Sequence, residues 1–548
     1  MKKIFFLTIA LCLMTFAKAQ WVNDPASNTI LAQGNNQYGE IYISTHEASG
    51  NTYIQWSNMR SYGWAPSLQK VDLQGVPQWG ENGIDITGHS FDSYSMGIAM
   101  TTLSDGSVIS AFADIQGKCV VTKITPEGTL AWEDGSIVAL DMGACMRIQV
   151  AAGNDGGFWI TSFDEEKAYL RYYNGDGTPR CQQVVISPIN GDEIGFTQLV
   201  VDNENNVFVV YQDEEWAMSY YYKKSIYVTK YSPEGAQLSP PTLLMAEKTI
   251  GGSITHYALP DGLGGGYVWI CHPAFNNVFE VLAFHFDANG NNTFDNPDGI
   301  FVCEPDGQNY HLEANATVDP TTHDLVVAYR STDASSQSID GLFVNRIGTT
   351  GDKIWGGTGK VLVHPSSQNS ISNITIDAFP DGSGEAILYA FSTDYINNII
   401  NTIGIDAEGV IIWNNPFCST ASQLSGASNT SGFHNGQLVF AWEDHRNGVA
   451  LYGQNIQIDG TLGPFTDGVA DIENNPKIKI YPNPAVDELY VETDGEADIE
   501  IYNLQGQLIE SKHIVDHVAL STENLSTGMF LVRVKTKSSS TVQKVIIK

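Results

Sequence analysis

One unit recurs along this chain from about residue 40 to residue 465, and that recurrence restricts the fold more than any other feature. Its clearest part is a strand, a short turn ending in Gly, then often Trp and a second strand. Copies read LQKVDLQGVPQW to Trp79, VTKITPEGTLAW to Trp132, LRYYNGDGTPRC to Cys181 and VTKYSPEGAQLS to Ser239. Others are FHFDANGNNTF to Phe294, VNRIGTTGDKIW to Trp355, IGIDAEGVIIW to Trp413 and NIQIDGTLGPF to Phe465. The turn glycines Gly75, Gly128, Gly177, Gly235, Gly290, Gly351, Gly409 and Gly460 fall about 50 to 60 residues apart. Glycine is expected there because hairpin turns of this kind take positive φ.

Upstream of each turn lies a second block, an Asx/Gly turn followed by an apolar strand. SDGSVISAFAD, GNDGGFWITSF, DNENNVFVVYQ and DGLGGGYVWIC are examples. Each unit therefore carries about four short strands and no helical periodicity. The fold class is all-β, and eight such units predict an eight-bladed β-propeller over residues 20–465, or seven blades if one unit is irregular. An open solenoid would want shorter and more uniform rungs. The stretch from Trp21 to Leu31 resembles the strand after each turn but has no turn of its own. Pairing it into the last unit would close the ring and hide both edges.

Acidic residues number 62 against 28 basic, a net charge of −34, which disfavours a nucleic-acid partner and an anionic membrane surface. It also disfavours an anionic ligand, and reads best as a solvated coat on blade turns. The chain is not disordered, because 42% is hydrophobic and only 16% charged.

Residues 1–19 carry Lys2 and Lys3, an apolar run from Ile4 to Phe16, and the small-x-small site Ala17-Lys18-Ala19. This pattern is a secretory signal peptide cut before Gln20, and the run is too short for the ~20 residues that span a bilayer. No later stretch reads as a transmembrane segment. Beyond Cys12 the cysteines are 119, 145, 181, 271, 303 and 418. An even count in an exported chain permits disulfides, but the spacing is sparse and several lie in apolar strands, so buried free thiols are expected.

The repeat stops at a polar, acidic linker over 466–476, and residues 477–548 show two-residue alternation suited to a small Ig-like β-sandwich. Their ordered motifs are Tyr481-Pro482-Asn483-Pro484, Leu489, Ile501-Tyr502-Asn503-Leu504-Gln505-Gly506-Gln507, the run from Leu525 through Gly528 to Val534, and Lys544 to Lys548. This series resembles the type A C-terminal sorting domain of the Bacteroidetes type IX secretion system. The departure is Met529-Phe530, where the family commonly has an aromatic residue directly after Gly. The resemblance implies export through the secretion machinery, removal of the domain by a surface sortase within the linker, and a passenger released or held on the outer cell surface. Gly436 to Gly448 (GQLVFAWEDHRNG) similarly resembles propeller repeats of such secreted proteins, with no activity attached.

No catalytic constellation emerges. The turn Asp72 to Gly75 with Trp79 has the wrong spacing for a sialidase-type Asp box, and the propeller's arginines, Arg60, Arg147, Arg171, Arg180, Arg330, Arg346 and Arg446, select no triad. No HExxH, zinc spacing or nucleophile elbow appears. Glu443-Asp444-His445-Arg446 reads as a salt-bridged turn before a ligand loop. Asp287, Asn289, Asn291 and Asp295 space oxygen ligands as calcium loops do, although a metal-free Asx turn is favoured. The most usable binding signal is aromatic. Tyr211, Trp216, Tyr220, Tyr221 and Tyr222 lie in a lengthened hairpin and, if exposed, suit stacking on sugar rings or anchoring a protein. The preferred reading is a non-enzymatic module binding glycans or proteins. Its alternative is a carbohydrate-active hydrolase or lyase using acids on one propeller face.

Overall fold

Strands form here because β-branched and aromatic residues alternate with polar ones between Gly- and Asx-rich turns. The computed structural model describes residues 20–33, 38–60, 63–86, 97–164, 166–273, 279–307, 309–380, 386–419, 428–464, 479–482, 485–486, 488–503, 508–522, 525, 528–536 and 540–547. Among these residues there is no helix, and so none long and apolar enough to cross a membrane. The signal-peptide segment, the linker 466–476, and Asn483, Pro484, Gly506 and Lys548 lie outside the described residues. The chain divides into two compact units, Met1–Pro464 and Phe465–Lys548.

Eight four-stranded antiparallel sheets make up the first unit. Seven are simple meanders, as in Met146–Ala152, Phe158–Phe163, Ala168–Tyr173 and Val184–Ile186. The last is built from both ends of the unit. Ser428–His434, Gln437–Asp444 and Ala450–Gln457 are completed by Thr29–Gln33, with Thr29 opposite Gly453 and Gln33 opposite Ala450. The N-terminal strand thus enters the last sheet, as its likeness to the strand after each turn suggested. The first strands of successive sheets touch in cyclic order, from Tyr38–His46 round to Ser428–His434 and back. This is the architecture of a β-propeller, with the first strands lining the axis.

Each pair of neighbouring sheets encloses apolar side chains. Ile109 and Val121 meet Ile148, Phe158 and Ile160 at one junction. At the closing junction Trp21, Leu31, Val439 and Leu451 meet Ile54 and Trp56.

The turn glycine has a second cause beyond its φ of 80° at Gly75: a Cβ there would run into the Trp21 ring. A Cβ on Gly460 would likewise lie 2.7 Å from Trp413. Trp79, Trp132, Phe294 and Trp355 cover the next turn's glycine in the same way, at Gly128, Gly177, Gly351 and Gly409. The aromatic residue that ends one unit therefore packs on the turn of the next, and Trp21 carries this contact across the closure. Third-strand cations make a parallel link. Lys70 Nζ donates to Pro126 O (2.8 Å), Lys123 Nζ to Gly175 O (3.1 Å), Lys230 Nζ to Ala288 O (2.9 Å) and Arg346 Nη1 to Ala407 O (3.1 Å), each on the following sheet's turn.

The expectation of free thiols needs one correction. Cys119 and Cys145 form a disulfide, because the start of one third strand lies beside the entry to the next sheet, a proximity their 26-residue separation hides. Cys181, Cys271, Cys303 and Cys418 are free.

The second unit holds one five-stranded antiparallel sheet. Its long strand Glu488–Tyr502 pairs on one side with Leu508–Ser521, and on the other with Lys479–Tyr481 and then Gly528–Thr536. The stretches ELYVET and ADIEIY are thus one strand, with a register shift between Glu492 and Glu496. Leu489, Val491, Ile499, Ile501, Phe530, Val532 and Val545 form its core.

Candidate functional site

Because strands alternate in direction, the first-to-second and third-to-fourth connections of every sheet reach one face of the propeller. The repeated Gly turns occupy that turn face. The second-to-third connections and the links between sheets reach the opposite, mouth face.

Six of the eight axis-lining strands are bulged. Register shifts fall between Gly39 and Ile41, Met146 and Gln149, Gly195 and Thr197, Leu312 and Ala314, Ser372 and Thr375, and Thr430 and Phe433. Four bulge residues are left-handed without being glycine: Arg147 (φ 46°), Phe196 (31°), Glu313 (45°) and Asn373 (51°). Bulges re-aim side chains, and such backbone costs of order 1–3 kcal/mol per residue, so it persists only where the surroundings enforce it.

These residues meet in two pairs, Arg147 with Phe196 and Glu313 with Asn373. The Arg147 guanidinium lies 5.8 Å from the Phe196 ring centre, and Lys224 Nζ lies 5.3 Å from the same ring and 5.9 Å from Tyr222. Tyr257 is 45% exposed and stacks on Trp269 with ring centres 5.4 Å apart. Crowding around the Tyr257 hydroxyl raises its pKa, and the charges of Arg147 and Glu313 also reach it, with opposite signs. The Glu313 carboxylate accepts the Ser372 hydroxyl (2.8 Å) and the Asn373 N–H, while Asn373 Nδ2 donates to Tyr395 Oη (2.8 Å). Asp377, on the same axial strand as Asn373, accepts the Thr430 hydroxyl (2.8 Å), and burial pushes its pKa up to about 6.

The lengthened hairpin rises from this mouth. Its strands, Val207–Met218 and Tyr221–Tyr231, run 12 and 11 residues, against 6 and 6 for the matching pair Phe158–Phe163 and Ala168–Tyr173. Trp216 is 58% and Tyr220 57% exposed; Tyr221 and Tyr222 are half-buried. Tyr211 departs from the expectation of an exposed ring. It is 1% exposed and stacked on Tyr227 at 6.0 Å, because it sits where the strand still faces the neighbouring sheet. At the hairpin's base the buried Lys224 Nζ lies 3.0 Å from Glu214 and donates to Gly252 O (3.0 Å) and Ile254 O (3.1 Å). Burial lowers the Lys224 pKa and raises that of Glu214.

The other candidates resolve individually. Asp287 Oδ1 accepts the N–H groups of Asn289 (2.8 Å) and Asn291 (2.9 Å), the bonding that Asp72 makes with Gln74 and Val76 at the first turn. Asp295 has a φ of 48°. No group of three or more His, Cys, Asp or Glu side chains able to hold a metal occurs among the described residues. Arg446 pairs with Asp444 (2.7 Å) and donates to Ala26 O (3.2 Å) and Asn28 Oδ1 (3.0 Å), so this cluster clasps the N-terminal segment to the last sheet. In the second unit Tyr481 stacks on Tyr490 at 5.6 Å beside the cis Tyr481–Pro482 bond, and Gly528 lies opposite Ile547.

Sequence reasoning missed the bulged axial residues. No local signal marks them, since a bulge is visible only as a mismatch between two paired strands.

Residues 479–548 match the secretion system C-terminal sorting domain family. No curated protein matches this sequence. Among solved structures, the lectin BP39L from Burkholderia pseudomallei is 13% identical with a TM-score of 0.42, covering 70% of this chain and 99% of that one. The polysaccharide lyase Uly1 is 11% identical (TM-score 0.41; 70% and 93% covered). The β-propeller domain of the Trilobed protease from Pyrococcus furiosus is 10% identical (TM-score 0.39; 70% and 98% covered). The chain thus joins a β-propeller to a type IX sorting domain, which implies secretion or cell-surface export.

Proposed function

We propose that this is an eight-bladed propeller, delivered to the outer surface or the medium, that binds a glycan or protein on its mouth face without transforming it. The C-terminal unit serves as an Ig-like sorting sandwich, and the surface sortase removes it by cutting between the two units. One observation carries the binding reading: exposed Trp216 and Tyr220 crown a hairpin beside the axial opening, and Tyr257 offers a further ring there. The hydrolase or lyase reading draws less support. Glycoside hydrolysis takes two carboxylates facing each other across about 5–10 Å, and the axial acids Glu313 and Asp377 instead each tie to a neighbouring axial strand, through Ser372 and Asn373 and through Thr430. A glycan-array and hydrolysis screen of the mature chain tests both. Retention without products is expected, and release of shortened sugars would overturn the non-enzymatic reading. For export, deleting 477–548 should strand the propeller in the periplasm; surface delivery of the truncated chain would refute the sorting role.

A further inference from the structure

Among the described residues the arginines of the first unit are few, and the others beside Arg147 are engaged by protein groups. Arg171 donates to Cys181 O (3.1 Å) and Arg330 to Ile371 O (3.0 Å). Arg180 pairs with Asp155 and Glu234 (both 2.7 Å), Arg346 with Asp319 and Asp324 (both 2.7 Å), and Arg446 with Asp444. Arg147 is different. It is exposed and lies near the Phe196 ring, and among the described residues its guanidinium has no carboxylate or carbonyl partner. Its left-handed backbone is unfavourable for any side chain with a Cβ, yet it carries the longest cation available.

Three features therefore lie on the mouth face: an unpaired guanidinium, the band from Phe196 through Tyr222 to the hairpin that it joins, and an accessible ring at Tyr257, backed by Trp269 and within reach of the Arg147 charge. A guanidinium fork recognises a planar carboxylate bidentately, and an aromatic face takes the C–H face of a sugar. We propose that the mouth binds an acidic oligosaccharide of the uronate class, with one carboxylate on Arg147 and a neighbouring ring on Tyr257. This rests on the glycan-binding reading above and names its ligand chemistry. The molecule's net charge of −34 repels anions at long range, so recognition is a short-range event at this one cation, with stacking supplying much of the affinity.

The test is calorimetric titration of the full mature chain with a uronic-acid trisaccharide and with its carboxyl-reduced, neutral counterpart. The acidic sugar should bind, and reduction should weaken binding about tenfold or more, as loss of a charge-assisted bidentate contact does. Arg147→Gln should weaken the acidic sugar equally and leave the neutral one unchanged. Arg147→Gly removes the guanidinium but suits the left-handed backbone, so it should lose binding with Tm unchanged or raised, which separates a lost contact from a lost fold. Equal binding of both sugars, indifferent to Arg147, would overturn the proposal while leaving a glycan-binding module intact. Binding of neither would overturn the proposal and remove the glycan half of the broader reading with it.

Discussion

The two faces of the propeller are built from the same strands and obey different rules. On the turn face the units repeat one solution: a tight turn closed by its glycine, in six of the eight an aromatic ring from the preceding unit on that glycine (Cys181 and Ser239 stand there at Gly235 and Gly290), and in four sheets a cation reaching the next turn's carbonyl. On the mouth face the connections differ in length, axial strands bulge, and the unpaired Arg147 and the exposed Trp216 and Tyr220 appear. Closing a ring demands that every junction match, and the turn face meets that demand. The mouth face is thereby free to vary, which is where binding residues of scaffolded folds concentrate.

The sharpest way to break this contrast is at the closure. Trp21 is fully buried against Gly75 and belongs to the core shared by the first and last sheets. Trp21→Ala should cost about 3–5 kcal/mol, read by chemical denaturation. Gly75→Ala should also destabilise, since it adds a Cβ inside the Trp21 ring and forces φ 80° on a chiral residue. A loss below about 1 kcal/mol for Trp21→Ala would show that the interlock is incidental.

The same contrast explains what the sequence made legible. The turn face is periodic, so its glycines and tryptophans announce the fold, and even the stray strand at Trp21 is recognisable by likeness to its repeats. The reason for those glycines is only half visible, because the ring that covers six of the eight comes from the preceding unit about 50 residues earlier. The mouth is aperiodic. Trp216 and Tyr220 stand out as aromatic enrichment, Tyr211 is indistinguishable from them in sequence because its burial depends on the neighbouring sheet, and nothing local separates Arg147 from the other arginines.

An intermediate effect is expected along the axis, where Asp377 lies. Its pKa is raised from 3.8 to about 6 by burial, so between those values this carboxyl is more protonated in the folded chain than in the unfolded one. The Asp377 contribution to stability should therefore fall as pH rises from about 4 through 6, by up to about 3 kcal/mol. Asp377→Asn keeps an acceptor for the Thr430 hydroxyl and cannot ionise. It should stabilise the propeller by about 1–3 kcal/mol at pH 7.5 and have little effect at pH 4. Parallel stability–pH curves for the two proteins would remove Asp377 as the cause.

The smallest expected change in stability is also the most direct test of the division of labour. Trp216 and Tyr211 lie five positions apart on one strand, the first 58% exposed at the hairpin tip and the second 1% exposed between sheets. Tyr211→Ala should cost about 3 kcal/mol or more, because it opens a cavity where two sheets meet. Trp216→Ala should change unfolding free energy by no more than about 0.5 kcal/mol, since its ring packs on little and its Nε1 donates only to Ser219 O at 3.3 Å. The same Trp216 variant should retain less glycan or protein ligand, so denaturation and binding measured together read two different properties of one strand. If Trp216→Ala destabilises the fold as much as Tyr211→Ala does, the hairpin is a structural strut, and the mouth face loses its claim to be the functional one.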